Sequence, residues 1–199
     1  MTKLKRLLAG VAVITTGACG SSATTPTAIT FHAEVADTIG DAVVSAGVPN
    51  PPDLVHGTAD VSGASVTFSI QFAPGTFDRQ STVALIQLDT DQNPSTGIVA
   101  ATGVGIDYIL SLSAASNQVR IQQALPASCA TGGVCYADVG VAALSVGTDS
   151  MTTTVPLATF GNASGRLNYR VFAYFLPQPT ATVVADTMPD ITLPPANVP

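Results

Sequence analysis

From Leu88 to Gly97 the chain reads Leu-Asp-Thr-Asp-Gln-Asn-Pro-Ser-Thr-Gly, which sets side-chain oxygens at Asp89, Asp91 and Asn93. Hard cations such as calcium take about six to eight oxygen ligands from carboxylates, amides and backbone carbonyls. Alternate residues of a curling loop can aim such oxygens at one centre. The loop is not an EF-hand, which needs Gly where Pro94 stands and a bidentate Glu where Ala100 stands. Asp107 follows a glycine-rich connection, Gly103-Val104-Gly105, and is expected to return to the same end of the sheet. The same residue types also build turns with no metal present, because Asp and Asn side chains bond nearby backbone N–H groups. Both readings stay open at this level. Asp37, Asp41 and Asp53 form a second candidate metal cluster, near the loop Pro49 to Pro52. Asp60 and Asp78 read as solvated turn residues.

Other chemistries lack their parts. A Gly-x-Ser-x-Gly nucleophile turn is missing, since Gly161-Asn162-Ala163-Ser164-Gly165 puts Ala at the nucleophile position. There is no HExxH, and Glu34 is the sole glutamate to set against turn-bound aspartates. The expectation is therefore a protein that is not an enzyme.

The elements that carry these loops follow a period of two. Val66, Phe68, Ile70 and Phe72 alternate with polar residues, as do Ile106, Tyr108, Leu110 and Leu112, and Val119 and Ile121 flank Arg120. Met151, Thr153 and Val155 share one face of another strand. Segments 83–88 and 167–175 are apolar on both faces for part of their length, which marks central strands. Gly, Asn, Asp or Pro punctuates nearly every run. The pattern predicts an all-β domain: an antiparallel two-sheet sandwich, jelly-roll-like, of about eight or more strands, with a closed barrel as the alternative.

Composition agrees. Of 199 residues, 46% are apolar and 10% charged, which excludes an acidic disordered tail, a coiled coil and a basic nucleic-acid binder. The first six residues carry Lys3, Lys5 and Arg6, and the apolar stretch Leu7 to Thr16 follows. That is the layout of a secretory signal, and it falls short of the roughly 18 apolar residues a membrane span needs. Thr16-Gly17-Ala18-Cys19 resembles the lipobox of bacterial lipoproteins, which implies lipidation at Cys19. The domain plan is a signal peptide over 1–18, a tether over 19–29, the β-domain over 30–176 and a proline-rich tail over 177–199. Without the leader, Arg79, Arg120, Arg166 and Arg170 remain against thirteen acids, a surface that repels phosphates and suits cations or neutral ligands.

Three cysteines are an odd count for an exported chain. Cys129 and Cys135 enclose Ala-Thr-Gly-Gly-Val, a loop flexible enough for them to pair as a disulfide, which leaves Cys19 for the lipid. Zinc would need further Cys or His ligands nearby, and His32 and His56 are remote.

The series Asp37-x-x-Gly40-Asp41, Pro52-Asp53-Leu54, Leu88-Asp89-Thr90-Asp91-x-Asn93-x-x-Thr96-Gly97 and Gly105-x-Asp107-Tyr108 resembles the DOMON-like superfamily. That group includes family-nine carbohydrate-binding modules and domains of bacterial surface proteins. The resemblance spans roughly residues 30–176. It implies a β-sandwich, frequently with bound calcium, and Asp89, Asp91, Asn93 and Asp107 match its acidic signature. Carbohydrate-binding members stack aromatic rings on sugars, often Trp; this chain has no Trp, and Tyr136, beside the cysteine loop, is the candidate. Haem-binding members use axial Met or His, for which His32, His56, Met151 and Met188 are candidates.

The expected function is a non-catalytic module with a structural or interaction role, calcium-stabilised, and exported and lipid-anchored to the bacterial cell envelope at the outer membrane or cell surface. Its partners would be the membrane, through the lipid alone, and a polysaccharide or another surface protein, with no nucleic acid. A polysaccharide-binding module is the first alternative and a haem or redox lipoprotein the second.

Overall fold

The computed structural model describes residues 30–43, 50–161, 164–176 and 183–199. The leader 1–18, the tether 19–29 and Cys19 lie outside the described residues. The first strands are β1 (Thr30–Ala36), β2 (Leu54–Ser62), β3 (Ser65–Phe72) and β4 (Thr82–Asp89). Two short strands, β5 (Ile98–Val99) and β6 (Gly105–Ile106), pair only with each other. Then come β7 (Tyr108–Ser113), β8 (Gln118–Ala124), the single-turn helix α1 (Pro126–Ala130), β9 (Tyr136–Val146) and β10 (Ser150–Pro156). A 3-10 turn at Leu157–Phe160 leads to β11 (Leu167–Phe175), β12 (Val183–Met188) and β13 (Ala196–Val198). Among the described residues no helix is long and apolar enough to cross a membrane.

The all-β expectation holds, and every strand pairing is antiparallel. The arrangement differs from two separate sheets. One path runs β1-β2-β3-β10-β9-β8-β7-β4-β11-β12, with β13 joined to β11, and it nearly closes into a barrel. The reason is the long strand β9. Its residues Leu144–Val146 pair with β10, while Tyr136–Ala143 pair with β8, so one strand serves both halves of the fold.

The period-two runs put their apolar members inside. Val66, Phe68, Ile70 and Phe72 of β3 face Ala84, Ile86 and Leu88 of β4, Leu110 and Leu112 of β7 and Val171 of β11 in a single core. Fully burying a side chain of this size contributes about 1.5–3 kcal/mol. Phe68 and Tyr169 meet edge to face at 5.7 Å. The two-faced runs are central strands, as expected, and irregular chain covers their outer faces. Leu85 of β4 packs against a small second cluster of Val104, Ile106 and Ile109. Arg170 of β11, 1% exposed, lies under the segment that follows β12.

The last feature changes the domain plan. Residues 177–199, expected as an extended proline-rich tail lying along the domain, supply β12 and β13, both paired with β11. Proline cannot donate to a ladder, and Pro189, Pro194, Pro195 and Pro199 bracket these strands rather than interrupt them. The path ends then approach each other. Val43 N–H donates to Ala185 O at 2.7 Å, and Leu54 N–H to an Asp186 carboxylate oxygen at 2.6 Å. A Cβ on Gly57 of β2 would strike the Met188 side chain of β12.

Candidate functional site

Strand β4 ends at Asp89, β7 begins after Asp107, and the two strands are hydrogen-bonded neighbours, so both aspartates fall at one end of the sheet. Oxygens of Asp89, Asp91 and Asp107 lie within 4.8 Å of one another. The loop that carries them sits tightly on β6. A Cβ on Gly105 would lie 2.5 Å from Asn93 O, 2.6 Å from Thr96 O and 3.0 Å from Pro94 Cα, all backbone atoms. Gly97 has φ +62°, and a Cβ there would strike the Ile106 carbonyl. Glycine is required at both positions, one for close approach and one also for its backbone conformation.

The carboxylates organise the loop as well as facing each other. Asn93 N–H donates to Asp89 Oδ1 and to Asp91 Oδ1, each at 2.9 Å. Thr96 Oγ1 donates to Asp91, and Thr90 donates from N–H and Oγ1 to Asp107 Oδ2 at 2.8 and 2.9 Å. Asp107 N–H in turn donates to Leu88 O at 2.9 Å. Asp89 is fully buried. Burial raises its pKa, with the neighbouring Asp91 carboxylate pushing the same way against the Asn93 N–H bond. The side-chain oxygen of Asn93, the fourth expected ligand, accepts Ser95 N–H at 3.1 Å along its own turn.

The second cluster is larger in space than in sequence. Asp41 belongs to two triads, one with Asp53 and Asp186 and one with Asp37 and Asp190. Sequence reading missed Asp186 and Asp190, although an Asp inside the apolar run Val183-Val184-Ala185-Asp186 is a visible anomaly. Burial raises Asp186 to about 7 and Asp37 to about 6, and the neighbouring aspartates add to both shifts.

The remaining candidates separate. Cys129 and Cys135 form the expected disulfide, joining α1 to the start of β9. Tyr136 is half-buried against the Val104, Ile106 and Ile109 cluster, and burial raises its phenol pKa. Met151 and Met188 are fully buried in the core. His32 and His56 are engaged outside it: His32 pairs with Asp60 at 2.6 Å and His56 with Glu34 at 2.7 Å. Asp60 is thus a strand residue of β2 facing β1 rather than a turn residue, whereas Asp78 accepts Gln80 N–H in a turn. A further hollow of about 500 Å³ lies over β7, β8 and β9, lined by Ser111, Ser113, Gln118, Arg120 and Asp138. Arg120 and Asp138 form a two-pronged ion pair across it at 2.6 and 2.8 Å.

No family model matches the chain, and none of the curated proteins compared with it matches in sequence.

Proposed function

We propose that this chain is a non-catalytic module of the bacterial cell envelope, exported by its leader and anchored through a lipid on Cys19. Its role is structural or interactive, and a calcium ion seated by Asp89, Asp91 and Asp107 stabilises it. In this reading it is a DOMON-like domain, and the halves of the sheet on either side of β9 act as the facing layers of a jelly-roll sandwich. The observation that carries the proposal is the convergence of those three carboxylates at one end of the sheet, on a loop held down by Gly105. Anionic oxygens this close repel unless a cation or protons lie among them. The test is a melting curve with calcium chloride or with EDTA. Calcium that binds only the folded state adds about 2.7 kcal/mol at a hundredfold excess over Kd. The Asp91→Ala variant is expected to lose part of that rise, and a calcium response identical in wild type and Asp91→Ala refutes the site.

A second reading rests on the hollow over β7 to β9. Its hydroxyls, amide and paired charges suit a neutral polyhydroxylated ligand such as a polysaccharide. Retention on an immobilised polysaccharide, lost in Arg120→Ala, would establish it; no retention on any would remove it.

A further inference from the structure

The Asp37, Asp41, Asp53, Asp186 and Asp190 cluster stands apart from the Asp89 loop and needs nothing from it. Asp37 follows β1, Asp41 comes four residues later, and Asp53 directly precedes β2. Asp186 lies in β12 and Asp190 two residues past its end. These are the opposite ends of the strand path, brought together where the sheet nearly closes.

Oxygens of Asp41, Asp53 and Asp186 all lie within 4.8 Å of one another, as do those of Asp37, Asp41 and Asp190. Two oxygens opposed across a calcium ion are about 4.6–5.2 Å apart, twice the usual bond. The donors are oxygens only, the set preferred by a hard divalent cation. A second, independent observation comes from Asp53. It is 3% exposed, and its carboxylate faces those of Asp41 and Asp186. Oδ2 accepts Gly40 N–H at 2.7 Å, but the buried Oδ1 has no hydrogen-bond partner. Asp37 Oδ2 is a further buried oxygen without one. A buried anionic oxygen without a donor is costly, and it persists where a cation completes it. The one buried base among the described residues, Arg170, spends its guanidinium on backbone carbonyls of Thr102, Pro189, Asp190 and Leu193 rather than on a carboxylate.

The geometry points to a calcium site at this seam, with Asp41, Asp53 and Asp186 as ligands and Asp37 and Asp190 flanking them, that fastens the C-terminal strands to the β1–β2 edge. A bound ion links segments more than a hundred residues apart in sequence. Calcium therefore tightens the contacts that close the sheet at that edge.

The experiment is calorimetric titration of the whole chain with calcium chloride, paired with amide hydrogen exchange. Both are run on wild type, Asp91→Ala, Asp41→Asn and Asp53→Asn. The expected result is a saturable binding event that survives Asp91→Ala and weakens at least tenfold in Asp41→Asn and Asp53→Asn. With it, exchange slows at Val43 and Leu54, whose N–H groups bond to Ala185 O and Asp186. Asp41 is exposed, so its variant carries the test should Asp53→Asn fail to fold. Calcium binding unchanged in Asp41→Asn, or protection confined to residues 89–97, overturns the seam site while leaving the Asp89 site standing. Binding lost in Asp41→Asn but untouched in Asp91→Ala upholds the seam site and defeats the other.

Discussion

Replacing Arg170 with Met tests how the C-terminal segment is held. Among the described residues Arg170 is the largest fully buried side chain, and no ion pair joins it to a carboxylate. Nε donates to Thr102 O at 3.0 Å; Nη1 donates to Pro189 O and, at 2.6 Å, to Asp190 O; Nη2 donates to Leu193 O at 2.6 Å. Burial lowers its pKa, with the Asp190 carboxylate opposing that shift, yet a guanidinium stays charged inside proteins. Hydrogen bonds to a charged group contribute about 1.5–3 kcal/mol each, so four amount to a gross loss of about 6–12 kcal/mol. Removing the charge returns its desolvation cost, which is several kcal/mol for a buried ion. Met fills much of the volume, so the cavity penalty is small. What remains is a net destabilisation of about 3–5 kcal/mol, mostly from carbonyls left without donors.

For a domain of this size each kcal/mol shifts Tm by about 2–4 °C, so the expected fall is about 6–20 °C by calorimetry. Location matters as much as size. Amides of Val183–Met188 and Ala196–Val198 should lose protection before those of β4 or β7, because the bonds lost hold the chain between β12 and β13. Arg170→Lys should recover only part of the loss, since one ammonium cannot span four carbonyls. A Tm within about 2 °C of wild type, or a loss spread evenly over all strands, would refute the reasoning.

Gly105→Ala would press a methyl group into the backbone of Asn93 and Thr96; we expect a loss of about 1–3 kcal/mol in urea unfolding, and a variant as stable as wild type would mean the acidic loop is not seated on β6. His32 has a raised pKa, chiefly through its hydrogen bond to Asp60, with Glu34 adding to it, so its NMR titration midpoint should lie above the usual 6.5 and drop in Asp60→Asn. A histidine raised on folding stabilises the fold fully below its unfolded pKa and loses that effect as pH rises through the folded value, so this pair should weaken across neutrality; a midpoint at or below 6.5 refutes the pairing.

Much of the fold is legible in sequence because alternation is a local signal. Val66 to Phe72 and Met151 to Val155 reveal strand and buried face together, and the Cys129–Cys135 loop reveals its own pairing. Partner choice is not local. Nothing in Tyr136–Val146 announces that it changes neighbours at Leu144, since that depends on the register of β8 and β10, so one continuous sheet reads as two. The C-terminal strands were hidden by a count: six prolines within 177–199 outweighed the proline-free runs Val183–Met188 and Ala196–Val198. The Asp89, Asp91 and Asp107 grouping was readable because neighbouring strands deliver it. Asp186 and Asp190 were not, because only closure of the whole sheet carries them to Asp41.

Closure of that seam has an unusual composition. From residue 183 onward the described segment buries few apolar side chains, Ala185, Met188 and Val198 among them, too few to fix a short edge strand by apolar burial alone. Polar devices do the rest: the Arg170 guanidinium gathers the turns after β12, and an Asp186 oxygen accepts Leu54 N–H. Apolar burial does not depend on a particular cation or on pH, whereas charge-assisted contacts and clustered carboxylates respond to both. The body of the sheet, with its continuous core from β3 to β11, should therefore respond less to solution ions, apart from the Asp89 loop at one end. The seam between β2 and β12 is where such conditions act on the strand contacts that close the sheet.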